Sequence, residues 1–127
     1  MQAGTAMFQY FLHDETARKL RCMLSIEQYK NPTASKLFTG QYIDGPLSYQ
    51  SALFSAFIGL DTMKNIDADV AAMHFYAPIY LMLCLCDNCP KREPEALELI
   101  GRHINQFSTL YMFGRAHEDH VDSRTEP

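Results

Sequence analysis

Apolar residues recur at intervals of three or four along most of the chain, the spacing that places them on one face of an α-helix. The first clear example begins after Asp14, whose carboxylate can accept hydrogen bonds from the free backbone N–H groups of a first helical turn. The apolar positions of this segment are Ala17, Leu20, Met23 and Leu24. The charged residues between them, Arg18, Lys19 and Arg21, are expected to face water.

Two further helices follow, each with a recognisable start. Asn31 and Pro32 form a helix N-terminus, with asparagine as the cap and proline at the first helical position, and Gly40 is expected to end this helix. Asp44 and Pro46 then predict the start of another helix. Its apolar positions, at spacings typical of an α-helix, are Tyr49, Leu53, Ala56, Phe57 and Leu60.

The segment 70–86 is the most apolar part of the chain, and His74 is its one clearly polar residue. Asp67 or Asp69 is expected to cap it, and Asp87 marks its end. A membrane span needs about 20 apolar residues and is not usually flanked by acids. The segment therefore favours a central helix of a soluble protein, or one shared with a partner subunit, over a membrane span.

Pro78 lies inside this apolar helix and has no N–H to donate to the carbonyl of His74, four residues earlier. A kink is expected there, with a carbonyl group that needs water, a side chain or a ligand as its partner. The residues leave open whether His74 is a core histidine or a ligand contact.

The last helix has the most regular pattern. Glu93 and Glu95 accompany Pro94 in its first turn, where acidic side chains complement the helix dipole. Its apolar seam consists of Leu97, Ile100, Ile104, Phe107 and Tyr111. Together with the preceding apolar helix, this seam exceeds what a small bundle can cover, which predicts a four-helix interface between two subunits.

The two ends of the chain differ in character. Residues 5–12 are apolar and aromatic and predict part of a helix, whereas residues 115–127 are almost entirely polar and are expected to be a disordered tail. Strand patterns are scarce. The expected fold is an all-α bundle of about five helices, formed as one domain by residues 1–114.

Composition narrows the functional classes. The chain has 127 residues, 47% of them hydrophobic, and a net charge of −4, whereas a free-standing nucleic-acid binder of this size is normally basic. The four cysteines are too few and too unevenly placed for a disulfide scaffold, and residues 1–4 do not resemble a signal peptide. We therefore expect a soluble cytoplasmic protein without direct contact to nucleic acid or a membrane.

Candidate chemistry is weak. Cys84 and Cys86 are two residues apart and point to different sides of a helix, which favours free thiols over a metal site shared with Cys89. His117 and His120 lie in the polar tail and are expected to be solvated. Common enzyme motifs are absent, so no catalytic residue, metal or cofactor is expected.

Three stretches resemble the C-terminal effector-binding and dimerisation domain of TetR-family transcriptional regulators. They are RKLRCMLSIEQYKNPTASKLFTGQYIDGPLSYQSALFSAFI, DADVAAMHFYAPIYLMLCLCDN and PEALELIGRHINQFSTLYM. The resemblance covers roughly residues 8–113 but lacks the basic helix-turn-helix module with which members of the family begin. It implies a homodimer that senses a small apolar or aromatic effector and reaches DNA only through that missing module.

The resemblance also implies two sets of site residues. The expected dimer interface comprises Tyr76, Ile79, Leu83, Leu97, Ile100, Ile104, Phe107 and Tyr111. The expected effector pocket comprises Phe8, Phe11, Met23, Phe54, Phe57, Met73, His74 and Tyr80. Seven Met, seven Tyr and eight Phe suit an adaptable apolar cavity. The alternatives are a helical dimerisation or partner-binding domain without a ligand and, less favoured, a small helical enzyme.

Overall fold

The computed structural model describes residues 2–113, with side chains from Thr5 onward, and these residues form a helical bundle. Its helices are α1 (Gln2–His13), α2 (Glu15–Glu27), α3 (Pro32–Thr39), α4 (Gly45–Gly59), α5 (Ala68–Asn88) and α6 (Glu93–Tyr111). A π-helical segment, Gly40–Asp44, joins α3 to α4 without a break, and a 3-10 turn precedes α6. No strand occurs between residues 2 and 113. The all-α prediction is confirmed, and the α3–α4 unit counted as one helix gives the expected five. The predicted tail, 115–127, lies outside the described residues.

Three of the predicted helix starts are confirmed by hydrogen bonds. The carboxylate of Asp14 accepts from the backbone N–H of Ala17 at 2.9 Å. The side chain of Asn31 accepts from two N–H groups of α3, and Asp67 accepts from two N–H groups of α5. Each cap satisfies donors that have no partner within the helix, which fixes where the helix begins.

Gly40 was expected to end α3, and it is the C-cap residue of this helix, whose last residue is Thr39. The chain does not leave the helical path there, however. Gly40 has helical dihedral angles, φ −64° and ψ −42°, and the chain continues through the π-helical segment into α4. The N–H of Gly45 donates to the carbonyl of Gly40, which closes this wider turn. A Cβ atom on Gly45 would lie 2.8 Å from that carbonyl oxygen, so the close approach requires glycine. Asp44 makes no capping hydrogen bond, because it lies inside the continuous helix.

The core consists of three clusters, and α5 contributes to all of them. The first cluster contains Phe8, Leu12, Cys86, Ala96, Ile100 and Ile104. The second contains Phe54, Met63, Ala71, Ala72 and Phe107. The third contains Leu24, Ala34 and Phe38, against which Tyr42 and Tyr80 pack. The apolar segment therefore packs centrally in the bundle, but only Ala71, Ala72 and Cys86 of α5 are buried.

By length and composition alone, α5 is apolar enough to cross a membrane. One such helix is weak evidence for a membrane protein, because the core helix of a soluble bundle passes the same test. Only 17% of its most apolar 18-residue window is buried, so much of α5 retains contact with solvent in a single protomer.

Arg21 was expected to face water. This prediction is wrong, because Arg21 is only 4% exposed. Its Nε donates to Oδ2 of Asp87 at 2.6 Å and its Nη2 to Oδ1 at 2.7 Å. Nη1 donates to the carbonyl of Phe11 at 3.0 Å, so one side chain connects α1, α2 and α5. Arg21 lies four residues after Ala17 and three before Leu24, which is the buried face of α2.

Candidate functional site

A groove of about 620 Å³ runs between α5 and α6 on the surface of the bundle. On the α5 side it is lined by Met73, His74, Ala77 and Pro78. On the α6 side it is lined by Leu99, Arg102, His103, Gln106, Phe107, Leu110 and Tyr111. A smaller depression of about 230 Å³ shares Pro78, Leu99 and His103 with it and extends to Leu81 and Met82. The two hollows therefore form one continuous feature along both helices.

Helical spacing explains why these residues share a surface. On α5, Met73, Ala77 and Leu81 follow each other at intervals of four, and on α6, Leu99, His103, Gln106 and Leu110 follow at four, three and four. We call these two stripes, together with His74 and Arg102, the α5–α6 face.

Large apolar side chains on the α5–α6 face are exposed. The exposed fractions are 49% for Met73, 62% for Leu81, 40% for Leu99 and 47% for Leu110. Contiguous apolar surface of this kind marks an interaction site more often than a solvated surface, because each Å² left in water costs about 25 cal/mol. The arrangement is suited to contact with another apolar surface.

The polar groups that line the groove include cationic and neutral side chains and no carboxylate. They are His74, Arg102, His103, Gln106 and Tyr111. Arg102 is exposed and makes no ion pair within 4 Å to any described residue. The groove therefore has a positive or neutral character, although the chain as a whole has a net charge of −4.

His103 links the two helices. Its Nε2 lies 2.8 Å from the carbonyl oxygen of Phe75, and its ring packs against Phe75 and Phe107. Because a carbonyl oxygen can only accept, Nε2 must carry the hydrogen, and Nδ1 is then the nitrogen that can take up a second proton.

The helix α5 continues across Pro78. Proline cannot donate to the carbonyl of His74, which removes the usual helical hydrogen bond to that carbonyl, and both residues line the groove. His74 and Pro78 therefore lie together on the side of α5 that faces α6.

The eight residues expected to line an effector pocket do not meet in one place. Met73 and His74 line the groove. Phe8 and Phe54 are buried in two different core clusters, and Phe57 packs against the second of these. The remaining three lie elsewhere, Phe11 and Met23 exposed on α1 and α2, and Tyr80 against the third cluster.

The residues expected at a dimer interface are for the most part covered within one protomer. Ile100, Ile104 and Phe107 are buried, with Ile100 only 1% exposed. Ile79, Leu83 and Leu97 pack against the first core cluster. Tyr76 donates its hydroxyl to the carbonyl of Tyr42, and Tyr111 lines the groove.

The reason for this arrangement is that α1 and α4 place aromatic side chains over the seam. Phe8 of α1 shares the cluster of Ile100 and Ile104, and the ring of Phe54 of α4 stacks on Phe107 at 5.3 Å. The exposed stripe of α6 is consequently a second one, which the sequence interpretation missed. The sequence feature that could have indicated it is the helical spacing from Leu99 to Leu110. This spacing is the same as that of the seam, but the stripe also contains polar residues.

Three tyrosines lie where the π-helical segment meets α5. Burial raises the pKa of Tyr76 to about 12 and raises the pKa of Tyr42 and of Tyr80, with Cys84 contributing to the shift at Tyr80. Burial therefore favours the neutral hydroxyl groups, and that of Tyr76 donates to the carbonyl of Tyr42. π-helical segments are frequent at functional sites, which makes this layer a second surface of interest.

Residues 2–113 contain no group of three or more His, Cys, Asp or Glu side chains that could hold a metal ion. Cys22, Cys84, Cys86 and Cys89 are free thiols, and burial raises the pKa of Cys86. His117 and His120 lie outside the described residues.

No protein-family model, curated protein or solved structure matches this chain. Its function has to be argued from its own residues.

Proposed function

We propose that this chain is a homodimeric, small-molecule-sensing regulatory domain similar to the C-terminal domain of TetR-family regulators, and that the α5–α6 face forms its dimer interface. The observation that carries the proposal is the exposure of Met73, Leu81, Leu99 and Leu110 around one groove. Two helices from each of two copies, related by a two-fold axis, would form a four-helix bundle and remove this apolar surface from water.

The size of the α5–α6 face is appropriate for a dimer. The helix α5 has 21 residues and α6 has 19. At 1.5 Å per residue each is about 30 Å long, and two packed helices are about 20 Å wide, which gives a face of about 600 Å². Two such faces bury about 1,200 Å² in total, which is the lower end of the range for a specific interface.

Self-association also fits the relief of this surface. A two-fold contact brings the same patch of both subunits together. Leu81 and Leu110, which are 62% and 47% exposed, line the two adjoining hollows and can contact the corresponding residues of a second copy.

Sensing would require that a ligand on another face of α5 alters the geometry of this interface. We place this ligand at the tyrosine layer, where Tyr76 donates to the carbonyl of Tyr42 and Tyr80 packs against the third core cluster. Contact with DNA would belong to a separate module, in keeping with the acidic charge of this chain.

The dimer is tested by light scattering coupled to size-exclusion chromatography at micromolar concentration. A mass of twice 14.5 kDa is expected. A monomer would contradict the proposed interface.

Sensing is tested by a thermal-shift screen of apolar and aromatic compounds. Each compound that stabilises the protein is then tested again with the Tyr80→Phe variant. Stabilisation that persists unchanged in this variant would remove the tyrosine layer from the ligand site.

The partner-binding alternative without a ligand is supported by a second exposed apolar surface. Met7 and Tyr10 on α1, with Met23 and Ile26 on α2, are all more than half exposed. If no compound in the screen stabilises the protein while the dimer is present, this alternative is favoured over ligand sensing.

A further inference from the structure

We infer that His74 and His103 make the dimer sensitive to pH, so that acidification separates the two subunits. This inference rests on the α5–α6 interface proposed above. Residues 2–113 contain three histidines, and two of them line the groove beside Arg102. The third, His13, is on α1 and lies 2.9 Å from a carboxylate oxygen of Glu93.

The groups that face the two histidines provide no negative charge. From α6 the groove receives Arg102, His103 and Tyr111, and from α5 it receives His74. The helix α4, which packs against α5, contains no Asp, Glu, Lys or Arg, and its one ionisable side chain is Tyr49.

Acidic and basic groups on the other elements near α5 and α6 have partners or lie outside the lining. Asp69 accepts a hydrogen bond from Ser51, and Glu98, one helical turn before Arg102, does not line the groove. In the 3-10 turn and the start of α6, Arg92 pairs with Glu95. On α1, His13 pairs with Glu93.

A second copy on this face would bring two sets of these groups together. Protonation of His74 and His103 in both copies would add four positive charges beside two guanidinium groups in a partly dehydrated interface. Burial and like charges both disfavour the protonated imidazole, so the dimer binds fewer protons than two separate monomers. Dimer affinity is therefore full where both histidines are neutral and is lost as acidification protonates them.

His103 explains why the loss would affect the dimer and leave the protomer folded. Its Nε2 keeps the hydrogen bond to the carbonyl of Phe75 in either protonation state, because the added proton goes to Nδ1. The link between α5 and α6 within one protomer is therefore retained when the positive charge appears in the groove.

The size of the effect follows from the number of excluded protons. Exclusion of one proton from His74 in each copy raises the dimer Kd by about 100-fold on acidification from about pH 7.5 to about pH 5.5, the range in which a histidine side chain changes charge. A contribution from His103 would increase this factor further.

The test is analytical ultracentrifugation of the purified protein at these two pH values and constant ionic strength, with circular dichroism at both. The variants are His74→Gln, His103→Gln and the double substitution; glutamine at position 103 retains an Nε2 donor for Phe75. His13→Gln is the matched control, since it removes a histidine outside the groove. We expect the wild type and His13→Gln to lose affinity on acidification, and the double variant to keep most of it.

The outcomes separate this inference from the proposed function. A monomer at the higher pH contradicts the dimer and with it the proposed interface. A dimer with the same Kd at both pH values overturns the pH inference alone, as does a pH dependence that the double variant retains in full. A loss of helical signal at the lower pH also overturns it, because dissociation would then follow unfolding.

Discussion

Arg21 on α2 and Asp87 at the C-terminal end of α5 form a bidentate ion pair whose side chains are 5% and 12% exposed. The third guanidinium nitrogen donates to the carbonyl of Phe11, so the pair fixes α1 and α2 against the central helix. The hydrogen bonds with Asp87 raise the pKa of Arg21 above its usual value, which keeps the guanidinium charged in spite of its burial.

Removal of one partner of this pair is expected to destabilise the protein strongly. Arg21→Ala should lower the free energy of unfolding by about 3–5 kcal/mol, because the carboxylate of Asp87 is left buried without its partner. Urea titration followed by circular dichroism measures the change. Lys19→Ala is the matched control, since Lys19 forms an exposed pair with Glu15 on the same helix and should have little effect. Equal losses in the two variants would contradict the role assigned to Arg21.

Acidic substitutions on the α5–α6 face are expected to dissociate the proposed dimer. Leu81→Glu and Leu110→Glu place a carboxylate in a surface that the second copy would dehydrate, while each side chain remains in water in the monomer. Light scattering should therefore give a monomer mass with the helical signal unchanged. Leu60→Glu, at the end of α4 and 76% exposed, is the control and should remain a dimer. If Leu81→Glu keeps the dimer mass, the interface lies elsewhere.

Two glycine substitutions are expected to have opposite effects. Gly45→Ala places a Cβ atom 2.8 Å from the carbonyl oxygen of Gly40 and should cost about 1–3 kcal/mol, because backbone must move to relieve the contact. Gly101→Ala, inside α6 with no atom within 4 Å of its Cβ, should stabilise the protein by about 0.5–1 kcal/mol. Thermal unfolding distinguishes the two. A stabilised Gly45→Ala variant would show that the π-helical turn is not needed.

Alkaline pH is expected to destabilise the fold through Tyr76. Its pKa is raised to about 12 by burial, so its contribution to stability is fully present below the unfolded value of about 10 and is lost as the pH rises toward 12. Tyr76→Phe should reduce this dependence and cost about 1 kcal/mol at neutral pH for the lost hydrogen bond. The measurement is the free energy of unfolding across this alkaline range. Tyr29→Phe, at a residue that is 85% exposed, should leave the dependence as in the wild type.

Local signals in the sequence were sufficient to locate most helix ends. Asp14, Asn31 and Asp67 cap helices as expected, because a capping side chain acts on backbone groups only two or three residues away. Gly40 caps the end of α3 as expected, but glycine is compatible both with an αL ending and with a π-helical continuation. Only the dihedral angles of the folded chain distinguish the two.

The residues of the candidate site could be predicted from the sequence only in part. The spacing showed that α6 has an apolar seam, but Ile100 and Phe107 turned out to be covered by α1 and α4, and the exposed stripe runs from Leu99 to Leu110. Met73 and His74 were among the expected site residues, and both line the groove. Arg102 and Gln106 also line it, but no feature of the sequence indicated them. The two stripes of α6 have the same helical period, so the sequence cannot show which one is buried. That depends on which helices pack against α6.

The sequence by itself determined that this protein is all-α, where its helices begin, and that α5 is its central apolar helix, because caps and helical periodicity act over one or two turns of the chain. The tertiary structure alone decided that Arg21 is buried against Asp87, and which stripe of α6 remains open beside α5. Both depend on which residues distant in sequence pack together, and that information is not contained in any local pattern.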